Sequence, residues 1–101
     1  MTATELLAEF QPGRTLRDDV LQPLGMSVNA LAKDLHVPAT RLNDIVRGRR
    51  GITADTALRL GRYLGTTAQF WLNLQSIYNL RLAENSNGRV IRRQVSPRRA
   101  A

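Results

Sequence analysis

An all-α fold of five short helices is predicted by three features of this chain. Apolar residues recur at helical spacing along most of its length, and glycines stand where the periodic stretches end. Residues suited to capping stand where the next stretches begin. At 101 residues, 43% of them hydrophobic, the chain suits one domain with its own core and has no room for a second.

The elements follow in order. After QPG, Leu16, Val20, Leu21 and Leu24 keep helical spacing, and Gly25 stands where a left-handed helix-ending residue is wanted. Ser27 caps a second helix, in which Val28, Leu31, Ala32 and Leu35 stand at i, i+3, i+4 and i+7. His36, the single histidine, ends it. Histidine is among the residues that tolerate positive φ, so it reads as a turn residue and not a catalytic one.

A third helix runs from about Pro38 to Arg47 and stops at Gly48, with proline in a first turn where its missing N–H would be unpaired anyway. Thr53 caps a fourth, which carries Asp55 in its first turn and ends at Leu64-Gly65. TTAQ offers a capping box, Thr66 with Gln69, for a fifth helix holding Phe70, Trp71, Leu74, Ile77 and Tyr78. Past Glu84, NSNG breaks the pattern, and RVIRRQVSPRRAA reads as a short strand, a stub of helix or a loose basic tail. The expected organisation is an N-terminal segment, 1–10, a helical domain, 11–84, and a basic tail, 85–101.

Charge narrows the function. The net charge is +7, almost all of it arginine, and a basic surface on a small domain favours a polyanion, most often nucleic acid. Residues 1–19 hold Glu5, Glu9, Asp18 and Asp19 against Arg14 and Arg17, a net of −2, which leaves +9 for the rest. One end of the chain can therefore meet a basic partner while the rest meets an acidic one. No apolar run reaches the roughly 18 residues of a membrane span. MTATELLAEF lacks the basic start and apolar stretch of a signal peptide. The absence of cysteine excludes disulfides and thiolate metal sites and suits a cytoplasmic chain.

The arginines cluster after the third helix. Helices 2 and 3 are short, the turn HVP separates them, and Ala32 lies where they would approach closely, the outline of a helix-turn-helix. At 100° per residue, Leu42, Ile45 and Val46 share one arc and must face the core. Thr40, Asn43, Asp44 and Arg47 form a polar stripe on the opposite side, and each can hydrogen-bond a base edge or a phosphate. RGRRG follows at once, placing Arg47, Arg49 and Arg50 where a duplex backbone would run, with glycines that let the chain come close to phosphates. A Walker loop is absent, and a disordered RGG tail would not be followed directly by a capped helix. Gly61 and Gly65 match GxxxG by letter, which means little in a soluble helix. An enzyme is poorly served. Asp18-Asp19 is the one close carboxylate pair, and neighbours on a helix point about 100° apart, too far to share a proton.

The stretches QPGRTLRDDVLQPLGMS, NALAKDLHVPATRLNDIVRGRRGITADTALRLGRYLGTT and QFWLNLQSIYNLRLAE, from Gln11 to about Arg81, closely resemble the HigA-type antitoxins. These are a branch of the Xre, or lambda-repressor-like, helix-turn-helix family, and RGITADTALRL and FWLNLQ in this order are highly specific to the branch. The resemblance implies a five-helix lambda-repressor-like DNA-binding domain and a homodimer that represses its own operon from a palindromic operator. It implies an antitoxin of a type II toxin–antitoxin pair, neutralising a RelE-like mRNA-cleaving toxin, HigB in that system. It also implies a cytoplasmic, nucleoid-associated protein without small-molecule cofactor, metal or membrane contact. Carried onto this chain, Thr40, Arg41, Asn43 and Asp44 are the base readers, and Arg47, Arg49 and Arg50 the phosphate clamp. GRTLRDDV replaces a more acidic opening of helix 1, and His36 a frequent glycine.

Two further surfaces are expected. FWLNLQSIYNL holds three aromatic residues in nine, more than a four-helix core needs. Phe70 and Leu74 are expected inward, with Trp71, Tyr78 and Leu80 contributing to a two-fold dimer. TELLAEF places Leu6, Leu7 and Phe10 at partner-helix spacing beside Glu5 and Glu9, so this segment, with Asp18 and Asp19, is expected to bind the toxin. The competing readings are a solitary Xre-family regulator without a toxin and, from another class, an RNA-binding protein that uses the arginine tail.

Overall fold

The structure, a computed structural model, describes residues 11–99. Among them are five helical runs and no strand. The first, α1, is continuous but changes pitch: α-helical at Pro12–Thr15, π-helical at Leu16–Leu21 and α-helical again at Gln22–Leu24. Then come α2 (Val28–Leu35), α3 (Ala39–Val46), α4 (Ala54–Leu64) and α5 (Ala68–Gln94). The wider π turn suits Pro23, whose ring in a regular α-helix would press on the carbonyl of Asp19 four residues back.

Three helices end by the same device. Gly25, His36 and Gly48 take left-handed φ values of 62°, 57° and 75°. The following amide then reaches back: Met26 N–H to the Leu21 carbonyl at 3.0 Å, Val37 to Ala32 at 3.1 Å and Arg49 to Asp44 at 2.8 Å. These are Schellman closures, which satisfy carbonyls a helix end would otherwise leave open. Histidine fills a place that glycine usually takes.

Capping follows the sequence at one end and shifts at another. Ser27 Oγ accepts from the Ala30 N–H at 3.0 Å. For α5 the cap is Thr67, which accepts from the Phe70 N–H at 3.1 Å, so the expected Thr66–Gln69 box is not formed. Thr66 instead accepts the indole N–H of Trp71 at 3.0 Å, and Gln69 donates to Asn73 at 2.8 Å.

That indole bond marks the main correction in the core. Trp71 is 1% exposed, packed in one cluster with Leu16, Leu31, Leu42, Ile45, Ala57 and Leu60, whereas Phe70 is 43% exposed. Phe70 therefore faces out, and Trp71 is removed from the dimer candidates. Neighbours on a helix point about 100° apart, so the two rings meet different surroundings. Burying the larger ring removes more apolar surface from water, and Thr66 satisfies its one polar atom.

The break expected at NSNG is also corrected, because α5 runs through it to Gln94. Extending an existing helix adds a backbone bond per residue without a new nucleus. Gly88 itself lies beneath an ion pair, Glu84 to Arg92 at 2.6 Å, that spans two turns across it. From Asn79 to Arg99 every residue except Gly88 is exposed, so the end of α5 adds nothing to the core.

Candidate nucleic-acid interface

The bihelical unit is α2, the turn His36-Val37-Pro38 and α3. Leu31, Ala32 and Leu35 from α2 and Leu42 and Ile45 from α3 are all buried, which seats the two helices on the common core. Behind them α1 packs backbone to backbone. A Cβ on Gly13 would collide with the Ile45 carbonyl oxygen and lie 2.8 Å from its carbon, so a glycine lets α1 rest on the last turn of α3.

With that face buried, the rest of α3 meets solvent. Thr40 and Arg47 are exposed; Arg41, Asn43 and Asp44 are half-buried. The structure thus brings the expected base readers onto one helix and carries Arg49 and Arg50 on the exposed turn beyond it. The Asn43 side-chain nitrogen donates back to the Ala39 carbonyl at 2.9 Å and more loosely to Asn29 Oδ1 at 3.4 Å. Its own oxygen remains an acceptor directed by that arrangement. Asp44 sits 3.5 Å from Arg49 Nη2. Arg47 and Arg50 carry no ion pair among the described residues.

A second layer holds this row in place, and no local motif announces it. Asp55 Oδ2 accepts from Arg41 Nη1 and from Arg59 Nε, both at 2.9 Å. Arg59 also donates to the Leu35 and His36 carbonyls, at 3.0 Å and 3.5 Å, at the C-terminal end of α2. The Arg59 hydrogen bond first, then that of Arg41, holds the Asp55 carboxyl below the usual carboxylate range. One carboxylate thereby links α3 to α4 and, through Arg59, to α2. Only the i,i+4 spacing of Asp55 and Arg59 is legible locally; Arg41 is 14 residues away.

The other expected residues stand on α1, on α5 and in the segment before them. Asp18 is held by Arg17 at 2.8 Å and by Arg14 at 3.4 Å, and Arg17 chiefly lowers its carboxyl below the usual range. Asp19 beside it is exposed, while Glu5 and Glu9 lie outside the described residues. On α5, Leu80 is 69% exposed and Ile77 42%, whereas Tyr78 is half-buried. Among the described residues no cluster of His, Cys, Asp and Glu could hold a metal ion, and no helix is long and apolar enough to cross a membrane.

A family model described as helix-turn-helix matches residues 19–71, from the middle of α1 to the buried tryptophan of α5. The chain belongs to the helix-turn-helix family. Its relatives sharpen the placement. Virulence-associated protein I of Dichelobacter nodosus is 60% identical over 75 residues, which span 74% of this chain and 69% of that protein. The solved structure of Pseudomonas aeruginosa antitoxin HigA with the higBA promoter is 52% identical with a TM-score of 0.84, over 86% of this chain and 95% of that one. Antitoxin GraA in complex with its operator is 43% identical with a TM-score of 0.85, over 89% and 91%. This chain is HigA-like in sequence and fold, as the motifs implied.

Proposed function

We propose that this chain is the antitoxin of a type II toxin–antitoxin pair, a two-fold dimer that represses its own operon and neutralises a RelE- or HigB-like mRNA-cleaving toxin. The observation that carries the reading is the union on one solvent face of the α3 polar row and the arginines of the turn after it. A row of hydrogen-bonding side chains suits base edges, and cations at its end suit the phosphates beside them. Thr40, Arg41, Asn43 and Asp44 read bases in this proposal; Arg47, Arg49 and Arg50 grip the backbone. The similarity to two antitoxins whose structures hold promoter or operator DNA supports the same assignment.

The dimer in this reading uses the exposed apolar edge of α5, with Leu80 and Ile77 at its centre and Tyr78 at its margin. Two recognition helices related by a two-fold axis would then reach half-sites one helical turn, about 34–36 Å, apart. Toxin contact is assigned to residues 1–10 with Asp19 and the partly neutralised Asp18, a surface separate in sequence from the recognition helix. The chain itself has no enzymatic role.

The full chain is to be titrated with DNA from upstream of its own gene and with the product of the adjacent reading frame. Submicromolar binding of that DNA over a scrambled duplex, together with capture of the neighbour, is expected. Operator binding without any capture would leave the solitary regulator; equal affinity for RNA and operator would favour the RNA binder. A chain lacking residues 1–10 should lose toxin affinity and keep the operator.

A further inference from the structure

Arg49 and Arg50, two of the three exposed arginines of RGRRG, sit on a turn that is flanked at both ends by side-chain amides and hydrogen-bonded by one of them. At its near end, Gly48 faces Gln11 so closely that a Cβ there would collide with the Gln11 side-chain nitrogen. At its far end, the Ile52 N–H donates to Gln75 Oε1 at 2.8 Å, and a Cβ on Gly51 would lie 3.2 Å from the Gln75 amide. Gln75 stands on α5, 23 residues further along the chain, and its own nitrogen donates to Asn79 Oδ1 at 2.9 Å. That second bond turns the amide so that its oxygen meets Ile52. Beneath the turn lies an open cleft of about 450 Å³ with Gln11, Arg49, Arg50 and Gln75 on its walls.

We infer that Gln75 is a positioning residue for the phosphate-binding arginines, its amide oxygen fixing the far end of the Arg49–Arg50 turn against α5. The inference rests on the DNA-binding reading above. Ile52 is 4% exposed and its N–H donates to Gln75, so an apolar side chain in place of Gln75 would take that acceptor away. The turn would then sample other conformations, and every duplex would have to order it again on binding. Removing a neutral amide takes away no phosphate contact. The loss is therefore the same for all sequences and independent of salt, unlike the loss of an arginine.

The test compares Gln75→Met, similar in volume but without the acceptor, with Gln75→Glu, which keeps an oxygen for Ile52. Amide hydrogen exchange of Ile52 is measured in the free full chain, with thermal unfolding confirming that each variant is folded. Exchange should speed up about tenfold in Gln75→Met and stay protected in Gln75→Glu, since protection reports the free energy of local opening. Gln75→Met should bind operator and unrelated duplexes each roughly fivefold more weakly, the scale of one missing hydrogen bond, with the salt slope of the unaltered chain. Unchanged Ile52 exchange in Gln75→Met would overturn the inference, as would unaltered duplex affinity in that folded variant. If the unaltered chain binds no duplex, the DNA reading falls, and the exchange comparison still decides whether Gln75 holds the turn.

Discussion

Arg41 and Asp55 meet at 2.9 Å, joining the first turn of α3 to the first turn of α4. The same oxygen of Asp55 accepts from Arg59, so Arg41 is held at a site that α4 defines. Replacing Asp55 with asparagine should free the Arg41 guanidinium and remove a negative charge beside the interface. Affinity for unrelated duplexes is expected to rise, and the ratio of operator to unrelated binding to fall. Competition binding at fixed salt checks this; an unchanged ratio would show that Asp55 plays no part in selectivity.

The same carboxylate has a pH signature. Its folded pKa is depressed, chiefly by Arg59. The stabilisation it contributes is therefore fully present above its unfolded value, about 3.9, and is lost as pH falls through the lower folded value. The difference in melting temperature between the unaltered chain and Asp55→Asn should stay constant from about pH 5 to 8 and shrink below about pH 4. Asp18, held by Arg17 and Arg14, should behave alike.

Salt separates the two classes of contact on α3 and its turn. Arg49→Ala or Arg50→Ala should weaken all duplexes and flatten the plot of log affinity against log salt by about 0.9 for each phosphate no longer neutralised. Asn43→Ala or Thr40→Ala should leave the slope alone and cost about 1–3 kcal/mol on the operator only. Titrations at several salt concentrations measure both, and an unchanged slope for Arg49→Ala would remove it from the clamp.

Gly13 couples α1 to α3. In Gly13→Ala the new methyl would meet the Ile45 carbonyl, a backbone atom that cannot swing aside. Destabilisation of roughly 1–3 kcal/mol is expected for such overpacking. Because Ile45 lies in the last turn of α3, operator affinity should fall in the folded fraction too. Chemical denaturation with parallel DNA titration reads the two effects.

Trp71 and Leu80 should fail in different ways. Trp71→Ala removes a ring that is 1% exposed and should cost about 3–5 kcal/mol of stability. Leu80→Glu, at a position 69% exposed, should leave the melting temperature of the monomer nearly unaltered but shift a dimer toward monomer. Light scattering at micromolar concentration, alongside thermal unfolding, distinguishes them. A Leu80→Glu protein with the unaltered oligomeric state would move the interface elsewhere.

Much of this molecule is legible in its amino-acid sequence, for a local reason. Whether Gly25, His36 or Gly48 can turn left-handed depends on the residue itself, so the ends of the first three helices can be read from their letters. The inward face of α3 is equally plain, because Leu42 and Ile45 differ in kind from Thr40, Asn43 and Arg47. Trp71 and Phe70 do not differ in kind, and only packing against Ala57 and Leu60 with a hydroxyl from Thr66 decides which ring is buried. Local propensity likewise argues for a stop at NSNG, where an already formed helix and the Glu84–Arg92 pair carry the chain through. Asp55 holding Arg41 and Gln75 holding Ile52 join residues 14 and 23 positions apart. Periodicity describes one helix at a time, so contacts between elements become visible only when the core brings those elements together.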